Sequence, residues 1–203
     1  MHNGGTILRS SRSKHFFEDK YRRQAFNNLQ AHGIEGLVVL GGDGSFRAME
    51  RFSSEYDLNF VGIPSTIDND IYGTEYCLGV DTALNVIRDA LDKIRDTAAS
   101  FKRAFIVEVM GRDCGYLAIV SAMVSGAEVC VIPELPFEHE KLGKRLAYEV
   151  KNGRNYIIAV VAEGTGKTTE VYNWIQDEIG LETRVSILGH IQRGEYRKAQ
   201  RFF

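Results

Sequence analysis

Two groups of residues in this sequence combine side chains and spacing that suit chemistry on a phosphate. The first is Gly41-Gly42-Asp43-Gly44-Ser45, which follows a short apolar segment and precedes a helical pattern. Its glycines allow close backbone approach, and the N–H groups at a helix N-terminus can bind a phosphate. Asp43 would repel that phosphate unless Mg²⁺ lies between them, which makes Asp43 a candidate metal ligand. A tight strand-to-helix turn capped by Asp43 is the alternative interpretation.

The second group is Thr66-Ile67-Asp68-Asn69-Asp70, which places two carboxylates two residues apart after a short apolar strand pattern. Asp68 could act as a general base on a hydroxyl group, with Asp70 holding it or a nearby cation in place. An Asx-rich turn would explain the same composition equally well.

Isolated arginines near the ends of predicted strands could bind an anion through the guanidinium fork, although a single arginine is more often a solvated surface residue. These arginines are Arg12, Arg103, Arg112, Arg184 and Arg193. His190 lies close to Arg193 and to glycines, which favours a binding role, and a structural histidine is the alternative. The run Gly164–Thr168 ends like a nucleotide-binding P-loop. However, Val161 occupies the position of the required first glycine, so we interpret the run as a plain strand-to-helix turn.

The elements that must position these residues alternate between helical and extended patterns. The predicted helices cover 18–32, 45–55, 80–94, 114–125, 138–152 and 169–179, and the predicted strands cover 37–40, 60–63, 104–109, 129–132, 156–162 and 184–188. This alternation predicts an α/β fold with parallel sheets and helices on both faces, so we expect strand 37–40 to be fully buried. The long loop 64–79 is the expected seam between two sheets. The polar clusters follow predicted strands, at the edge where functional groups gather in such sheets.

Composition excludes several classes of function. The 203 residues include 25 Lys and Arg against 27 Asp and Glu, and a net charge of −2 gives no long-range attraction for nucleic acid or an anionic membrane. No apolar run approaches the ~20 residues of a membrane span, and we expect no signal peptide. Three cysteines form no CxxC pair, and the five histidines show no metal-ligand spacing. We therefore expect a reduced cytoplasmic protein without structural zinc.

The motifs, in this order, resemble the phosphofructokinase family over residues 4–194. The matching segments are Gly4-Gly5-Thr6 with Ser11-Arg12, Gly41–Ser45, Pro64 with Thr66–Asp70, Arg103, Val107–Arg112, Glu163, Glu182–Arg184 and Leu188–Gly194. The resemblance implies two Rossmann-like parallel-sheet αβα domains. It places a partial ATP-binding domain at residues 1–67 and 189–203 and a sugar-phosphate-binding domain at residues 68–188.

The resemblance also implies transfer of the γ-phosphoryl group of ATP to the 1-hydroxyl of fructose 6-phosphate, with Mg²⁺ as the metal ion. The residues implied to bind ATP are Arg12, Ser13, Gly42, Asp43, Gly44 and Ser45, with Asp43 serving the metal. The residues implied in catalysis are Asp68 as general base, with Thr66, Arg112 and Arg12 at the transferring group. The residues implied to bind the sugar phosphate are Thr66, Asp68, Arg103, Met110, Gly111, Arg112, Glu163, Arg184, His190 and Arg193.

In the family, the residues matching Arg103 and Arg184 reach the sugar phosphate of a neighbouring subunit, which implies a homo-oligomer, usually a tetramer. Bacterial members also bind an effector of the ADP or phosphoenolpyruvate type at a subunit interface. The matching positions here are Arg95, Gly126, Glu128 and Arg154.

Three alternatives remain open at this point. A pyrophosphate-dependent family member is one, although the small residues Gly44 and Ser65 favour ATP. A lipid or NAD kinase relative could share the Gly-Gly-Asp-Gly loop, although Asp68–Asp70 and His190–Arg193 argue against it. A non-catalytic sugar-phosphate-binding protein is the third, because the family has a Gly-rich loop before the first matching segment and different sequence after Gly194. We therefore expect the nucleotide-binding domain to be incomplete.

Overall fold

In a computed structural model of the chain, which describes residues 10, 11 and 13–194, helices and strands alternate as the sequence predicts. The helices are α1 (Asp19–Ala31), α2 (Asp43–Tyr56), α3 (Val80–Phe101), α4 (Tyr116–Ser125), α5 (His139–Lys151) and α6 (Thr168–Trp174). The strands are β1 (Gly36–Gly41), β2 (Asn59–Pro64), β3 (Ala104–Val109), β4 (Val129–Val131), β5 (Ile157–Ala162) and β6 (Thr183–Ile187). Short 3-10 turns cover Lys14–Phe17, Glu163–Thr165 and Gly189–Arg193, and a π-helical turn covers Ile175–Ile179. The predictions for Arg12 and for 195–203 lie outside the described residues.

The chain divides into two compact units. The smaller unit comprises the residues up to Thr66 together with Ile71–Leu78, and the larger comprises Ile67–Asp70 and the residues from Gly79 onward. This division falls within the predicted seam at 64–79. It differs from the predicted domain boundaries at two places. Residues 71–78 group with the smaller unit, and residues 189–194 group with the larger unit, where the fully buried Gln192 accepts a hydrogen bond from the Met110 amide beside β3.

The smaller unit contains a two-stranded parallel sheet covered on one face. Strands β1 and β2 pair from Gly36 opposite Asn59 to Gly41 opposite Pro64. The side chains of the covered face pack with α1 and α2 around a small core, which contains Met49, Phe52 and Leu58 with Phe26, Leu29, Leu37, Val39 and Phe60. The expectation that strand 37–40 is fully buried was wrong. Val38 is 64% exposed and Leu40 62% exposed, because the described helices pack on the opposite face only.

The larger unit contains a four-stranded parallel sheet in the order β4-β5-β3-β6. Strand β3 pairs with β5 along its whole length and with β6 from Ala104 to Glu108. Every residue of β5 is buried, and so are Val80, Ala83, Ile87 and Leu91, which recur at helical spacing along α3. Parallel sheets flanked by helices confirm the predicted α/β fold class.

None of the helices in the described ranges is long and apolar enough to cross a membrane.

Candidate functional site

The polar segments singled out in the sequence do follow the carboxyl ends of parallel strands. In the larger unit, Met110–Arg112 follows β3, Glu163 follows β5, and the turn Gly189–Arg193 follows β6. Because these strands run in the same direction, the three segments lie at one edge of the sheet. In the smaller unit, β1 leads into Gly42 and β2 into Ser65 at the corresponding edge.

Asp68 lies in the Ile67–Asp70 segment of the larger unit and is 5% exposed. Its Oδ2 atom lies 3.3 Å from Nε of Arg112, and the Arg112 side chain itself is 66% exposed. A carboxylate in a simple solvated turn would be open to water. Asp68 also lies in a turn, and a carboxylate buried against a guanidinium is an arrangement that recurs at functional sites.

The loop that carries Arg112 has an unusual backbone. Gly111 has φ +139° and Arg112 has φ +49°, and a Cβ atom at position 111 would lie 2.4 Å from the carbonyl oxygen of Cys114. The Arg112 amide donates to Oε1 of Glu163 at 3.3 Å. A positive φ is uncommon for arginine, so contacts from neighbouring elements must hold this loop. Glu163, predicted to bind the sugar, is one of them.

Gly164 is a residue whose role the sequence analysis missed. A Cβ atom there would lie 1.7 Å from the carbonyl oxygen of Arg112, so the turn after β5 packs directly on the Arg112 loop. The run Gly164–Thr168 was the available signal, and we interpreted it as a plain turn. Thr168 at the end of this run donates to the carboxylate of Glu108 in β3.

Glu134 is a second residue whose contacts the sequence analysis did not predict. Its Oε1 accepts a hydrogen bond of 2.7 Å from the amide of Gly115, just before α4 begins. Burial raises the pKa of the nearby Cys114 thiol, and the carboxylates of Glu134, Asp70 and Asp68 raise it further. A raised pKa keeps the thiol protonated at neutral pH, which argues against a nucleophilic role for Cys114.

In the smaller unit, the predicted phosphate loop becomes the N-terminus of α2. Helix α2 begins at Asp43, two residues before the predicted start, and Gly42 is its N-cap residue. Thr66 lies beside this loop, because a Cβ atom on Gly42 would be 3.4 Å from Cβ of Thr66. Ser13 lies at the start of the short turn Lys14–Phe17.

The Asp43 carboxylate is 57% exposed and accepts a bond of 2.9 Å from Nε of Arg47. Among the described residues there is no group of three or more His, Cys, Asp or Glu side chains placed to hold a metal ion. Mg²⁺ in phosphoryl-transfer sites commonly uses one or two carboxylates, with substrate phosphates and water completing its shell. The exposed carboxylate at a helix N-terminus fits an Mg²⁺ ion that is bound together with a nucleotide.

Arg103 and Arg184 lie at the opposite edge of the larger sheet from Met110, Glu163 and His190. Arg103 immediately precedes β3, and Arg184 is the second residue of β6. Six residues of strand at ~3.3 Å per residue separate these edges by roughly 20 Å. Arg103 and Arg184 therefore cannot contact the same small ligand as the carboxyl-end residues of their own sheet.

Arg103 and Arg184 share one carboxylate. Nε of Arg103 donates to Oε2 of Glu182 at 2.7 Å, and the guanidinium of Arg184 bonds to the other oxygen of Glu182. The hydrogen bond from Arg103, with both positive charges, lowers the pKa of Glu182. The structure thus brings these two predicted phosphate ligands together.

The predicted effector residues lie on neighbouring elements of the larger unit. Arg95 donates to the carbonyl oxygen of Ser125, directly before Gly126, which is the C-cap residue of α4. Arg154 forms an ion pair with the carboxylate of Glu128. These contacts within the chain already engage three of the four residues.

Comparisons with known proteins show which family this chain resembles. The family model described as Phosphofructokinase matches residues 1–200. A protein named ATP-dependent 6-phosphofructokinase from Wolinella succinogenes is 59% identical over 195 residues, which cover 96% of this chain and 61% of the relative. A protein of the same name from a Sulfurovum species is 59% identical over 192 residues, or 94% of this chain and 59% of the relative.

A solved structure of phosphofructokinase from Saccharomyces cerevisiae is 32% identical in sequence and superimposes with a TM-score of 0.88. The match covers 95% of this chain and 30% of the yeast chain. The chain thus spans about 60% of the length of the curated relatives that it matches. With the family model matching nearly every residue, the chain belongs to the phosphofructokinase family.

Proposed function

We propose that this chain takes part in transfer of the γ-phosphoryl group of ATP to the 1-hydroxyl of fructose 6-phosphate, giving fructose 1,6-bisphosphate. The observation that carries the proposal is the buried carboxylate of Asp68 paired with the exposed guanidinium of Arg112. The name shared by the relatives at 59% identity supports this choice of reaction.

The chemistry follows from this pair. Asp68 accepts the proton of the sugar hydroxyl as that oxygen attacks the phosphorus atom, which makes the oxygen a better nucleophile. Arg112 places a positive charge beside the negative charge that spreads over the transferring group. Phosphoryl transfer depends mainly on positioning the reacting groups and on stabilising the negative charge of the transferring group. A general base and positively charged side chains can supply both effects.

The larger unit would bind the sugar phosphate at the carboxyl edge of its sheet. His190 and Arg193 are exposed on the turn after β6, where they can meet a phosphate. Met110 and Gly111 would line the sugar, and Glu163 would contact it while its Oε1 holds the Arg112 amide.

The smaller unit would bind the nucleotide. The N-terminus of α2, with Gly42, Gly44 and Ser45, offers backbone N–H groups to its phosphates, and Arg12, Ser13 and Thr66 would add further contacts. Asp43 would hold Mg²⁺ together with those phosphates. When bound, Mg²⁺ neutralises phosphate charge and fixes the geometry of the triphosphate. To bind Mg²⁺, the Asp43 carboxylate would have to break its ion pair with Arg47 or keep it while it also binds the metal. Surface ion pairs contribute little free energy, so either change would cost little.

The sites would be completed by a second subunit. Arg103 and Arg184 lie about one strand length from their own sheet's carboxyl edge, so a phosphate-binding role requires that they serve a neighbouring copy. This geometry supports a homo-oligomer, for which we propose a tetramer. Arg95, Gly126, Glu128 and Arg154 remain the proposed effector contacts, for a ligand of the ADP or phosphoenolpyruvate type.

The test is formation of fructose 1,6-bisphosphate by this chain with Mg²⁺, comparing ATP with pyrophosphate as phosphoryl donor. We expect ATP-dependent product and none with pyrophosphate. Product from pyrophosphate alone would identify the other donor class. A folded chain that binds fructose 6-phosphate without turnover would overturn the catalytic proposal and leave sugar-phosphate binding.

A further inference from the structure

We infer that Gln192 is a positioning residue that holds the Arg112 loop and the His190–Arg193 turn in one fixed arrangement. The inference rests on the proposed function for its effect on catalysis. Its geometric part concerns only hydrogen bonds inside the larger unit.

Gln192 is a fully buried polar side chain at the end of the sheet. Its Oε1 accepts a hydrogen bond of 3.2 Å from the amide of Met110, the first residue after β3. Its Nε2 donates a bond of 3.0 Å to the carbonyl oxygen of Gly189, where the turn begins. One side-chain amide thus joins two segments that are 79 or more residues apart in sequence.

This amide extends the sheet beyond its last backbone bond. The ladder between β3 and β6 ends where Leu188 donates from its amide to the carbonyl oxygen of Glu108 at 3.1 Å. Met110 lies two residues beyond Glu108, so its N–H points toward the same neighbouring strand. The backbone after Leu188 turns away into the 3-10 turn, and the Gln192 amide takes the place of the missing strand.

The neighbours of Gln192 on both segments are the residues proposed to contact the sugar phosphate. His190 and Arg193 flank it on the turn and are exposed, while Met110 is followed directly by Gly111 and Arg112. If the amide is lost, the N–H of the half-buried Met110 loses its acceptor. We expect both segments to shift relative to each other until water or another group satisfies that donor.

The variant Gln192→Met keeps the length of the side chain and removes both hydrogen bonds. In the full chain, we expect amide hydrogen exchange at Met110 to rise at least about fivefold, as for loss of one buried hydrogen bond. The KM for fructose 6-phosphate should rise by a similar factor, with the KM for ATP unchanged. If Gln192 had only a structural role, Gln192→Met would lower the melting temperature without raising the KM for fructose 6-phosphate selectively.

Thr183→Val is the matched control. Thr183 is also buried and also uses its side chain, donating from Oγ1 to the carbonyl oxygen of Leu181 at 2.9 Å, but it lies at the other end of β6. We expect this variant to be less stable, with unchanged exchange at Met110. Equal rises of Met110 exchange in the two variants would overturn the inference.

Three further outcomes are decisive. Unchanged exchange at Met110 in Gln192→Met would refute the positioning role whether or not the chain proves to be a kinase. Absence of turnover in the unchanged chain would refute the proposed function, while the exchange measurement would still test Gln192. If Gln192→Met does not fold, Gln192→Asn retains an amide that is too short to reach both partners. Failure of both variants to fold would assign Gln192 to overall stability and contradict the inference.

Discussion

Asp68 and Arg112 form an ion pair in which one partner is buried and the other is largely exposed. In the proposed reaction, the buried carboxylate would hold a fixed position beside the sugar hydroxyl, and the exposed guanidinium would be accessible to the transferring phosphoryl group.

We expect Asp68→Asn to reduce turnover by at least ~100-fold, because an amide cannot accept the hydroxyl proton. Affinity for fructose 6-phosphate should change little, since the amide retains size and hydrogen-bonding capacity. Steady-state kinetics and equilibrium binding measure the two effects separately. Asp113→Asn, an exposed change on the same loop, should leave both unaffected; turnover retained in Asp68→Asn would remove Asp68 from the role of base.

The close approach at Gly164 leads to a second prediction at this scale. In Gly164→Ala the new Cβ would meet the Arg112 carbonyl oxygen at 1.7 Å, so the Arg112 loop must move. Relief of this clash requires a shift of roughly 1 Å or more, and a misplacement of about 1 Å at a positioning contact can cost on the order of 100-fold in kcat/KM. Steady-state kinetics measure this loss.

The matched control is Gly166→Asn. It lies in the same turn at φ +61° with open space around it, and asparagine tolerates that conformation. Comparable losses of kcat/KM in Gly164→Ala and Gly166→Asn would contradict the packing argument.

At the element scale, helices α1 and α2 are joined by an ion pair between the buried Arg22 and the more exposed Glu55. The Arg22 side chain is 2% exposed, and its guanidinium donates to both carboxylate oxygens of Glu55 and to the carbonyl oxygen of Phe16. Arg51 contacts the same carboxylate from within α2. Hydrogen bonds from Arg22 and then Arg51 lower the pKa of Glu55 below its usual 4.5.

A lowered carboxyl pKa stabilises the folded state above the pKa of the unfolded chain, and this stabilisation is lost as pH falls through the lower folded-state value. We expect Glu55→Gln to reduce the stability of the smaller unit at neutral pH. The difference from the unchanged chain should shrink as pH falls below 4.5. Urea unfolding followed at several pH values measures this, and a difference that is constant with pH would contradict it.

The order of elements and the parallel sheets could be predicted from the sequence because hydrophobic periodicity is a local property. Strand 104–109 and the start of α3 agree with the prediction. The one-sided burial of β1 could not be predicted. The apolar run Leu37–Leu40 is compatible with a strand that is covered on one face and with a strand that is covered on both faces. The predicted helix 169–179 becomes π-helical from Ile175, a change of hydrogen-bond pattern that periodicity does not reveal.

The site was predictable to the extent that its side chains are chemically distinctive. Asp68, Arg112 and Glu163 do lie on segments that meet at one sheet edge. The contributions of Gly164 and Gln192 were missed, since they arise from contacts with residues 52 and 82 positions earlier in the chain.

At the scale of the whole molecule, the separation of Arg184 from the carboxyl edge of its own sheet predicts complementation between subunits. Arg184→Ala should weaken fructose 6-phosphate binding, and Asp68→Asn should abolish turnover. In hetero-oligomers made from equal amounts of the two impaired variants, about a quarter of the sites would combine one intact Asp68 with one intact Arg184.

Activity of the mixed oligomers, measured after joint refolding, should therefore exceed that of either variant alone. Each variant refolded with itself is the control. The absence of any recovery across mixing ratios would contradict a site shared between subunits.

The chain's single tryptophan, Trp174, is buried in the core of the larger unit and packs edge-on against Phe137 at 5.2 Å between ring centres. The aromatic cluster of the smaller unit consists of Phe16, Phe26, Phe52 and Tyr56 instead. Selective excitation of tryptophan fluorescence therefore reports on the larger unit alone. If the two units melt separately, emission will follow one transition and circular dichroism both, so each unit can be assigned its own denaturation curve without adding a label.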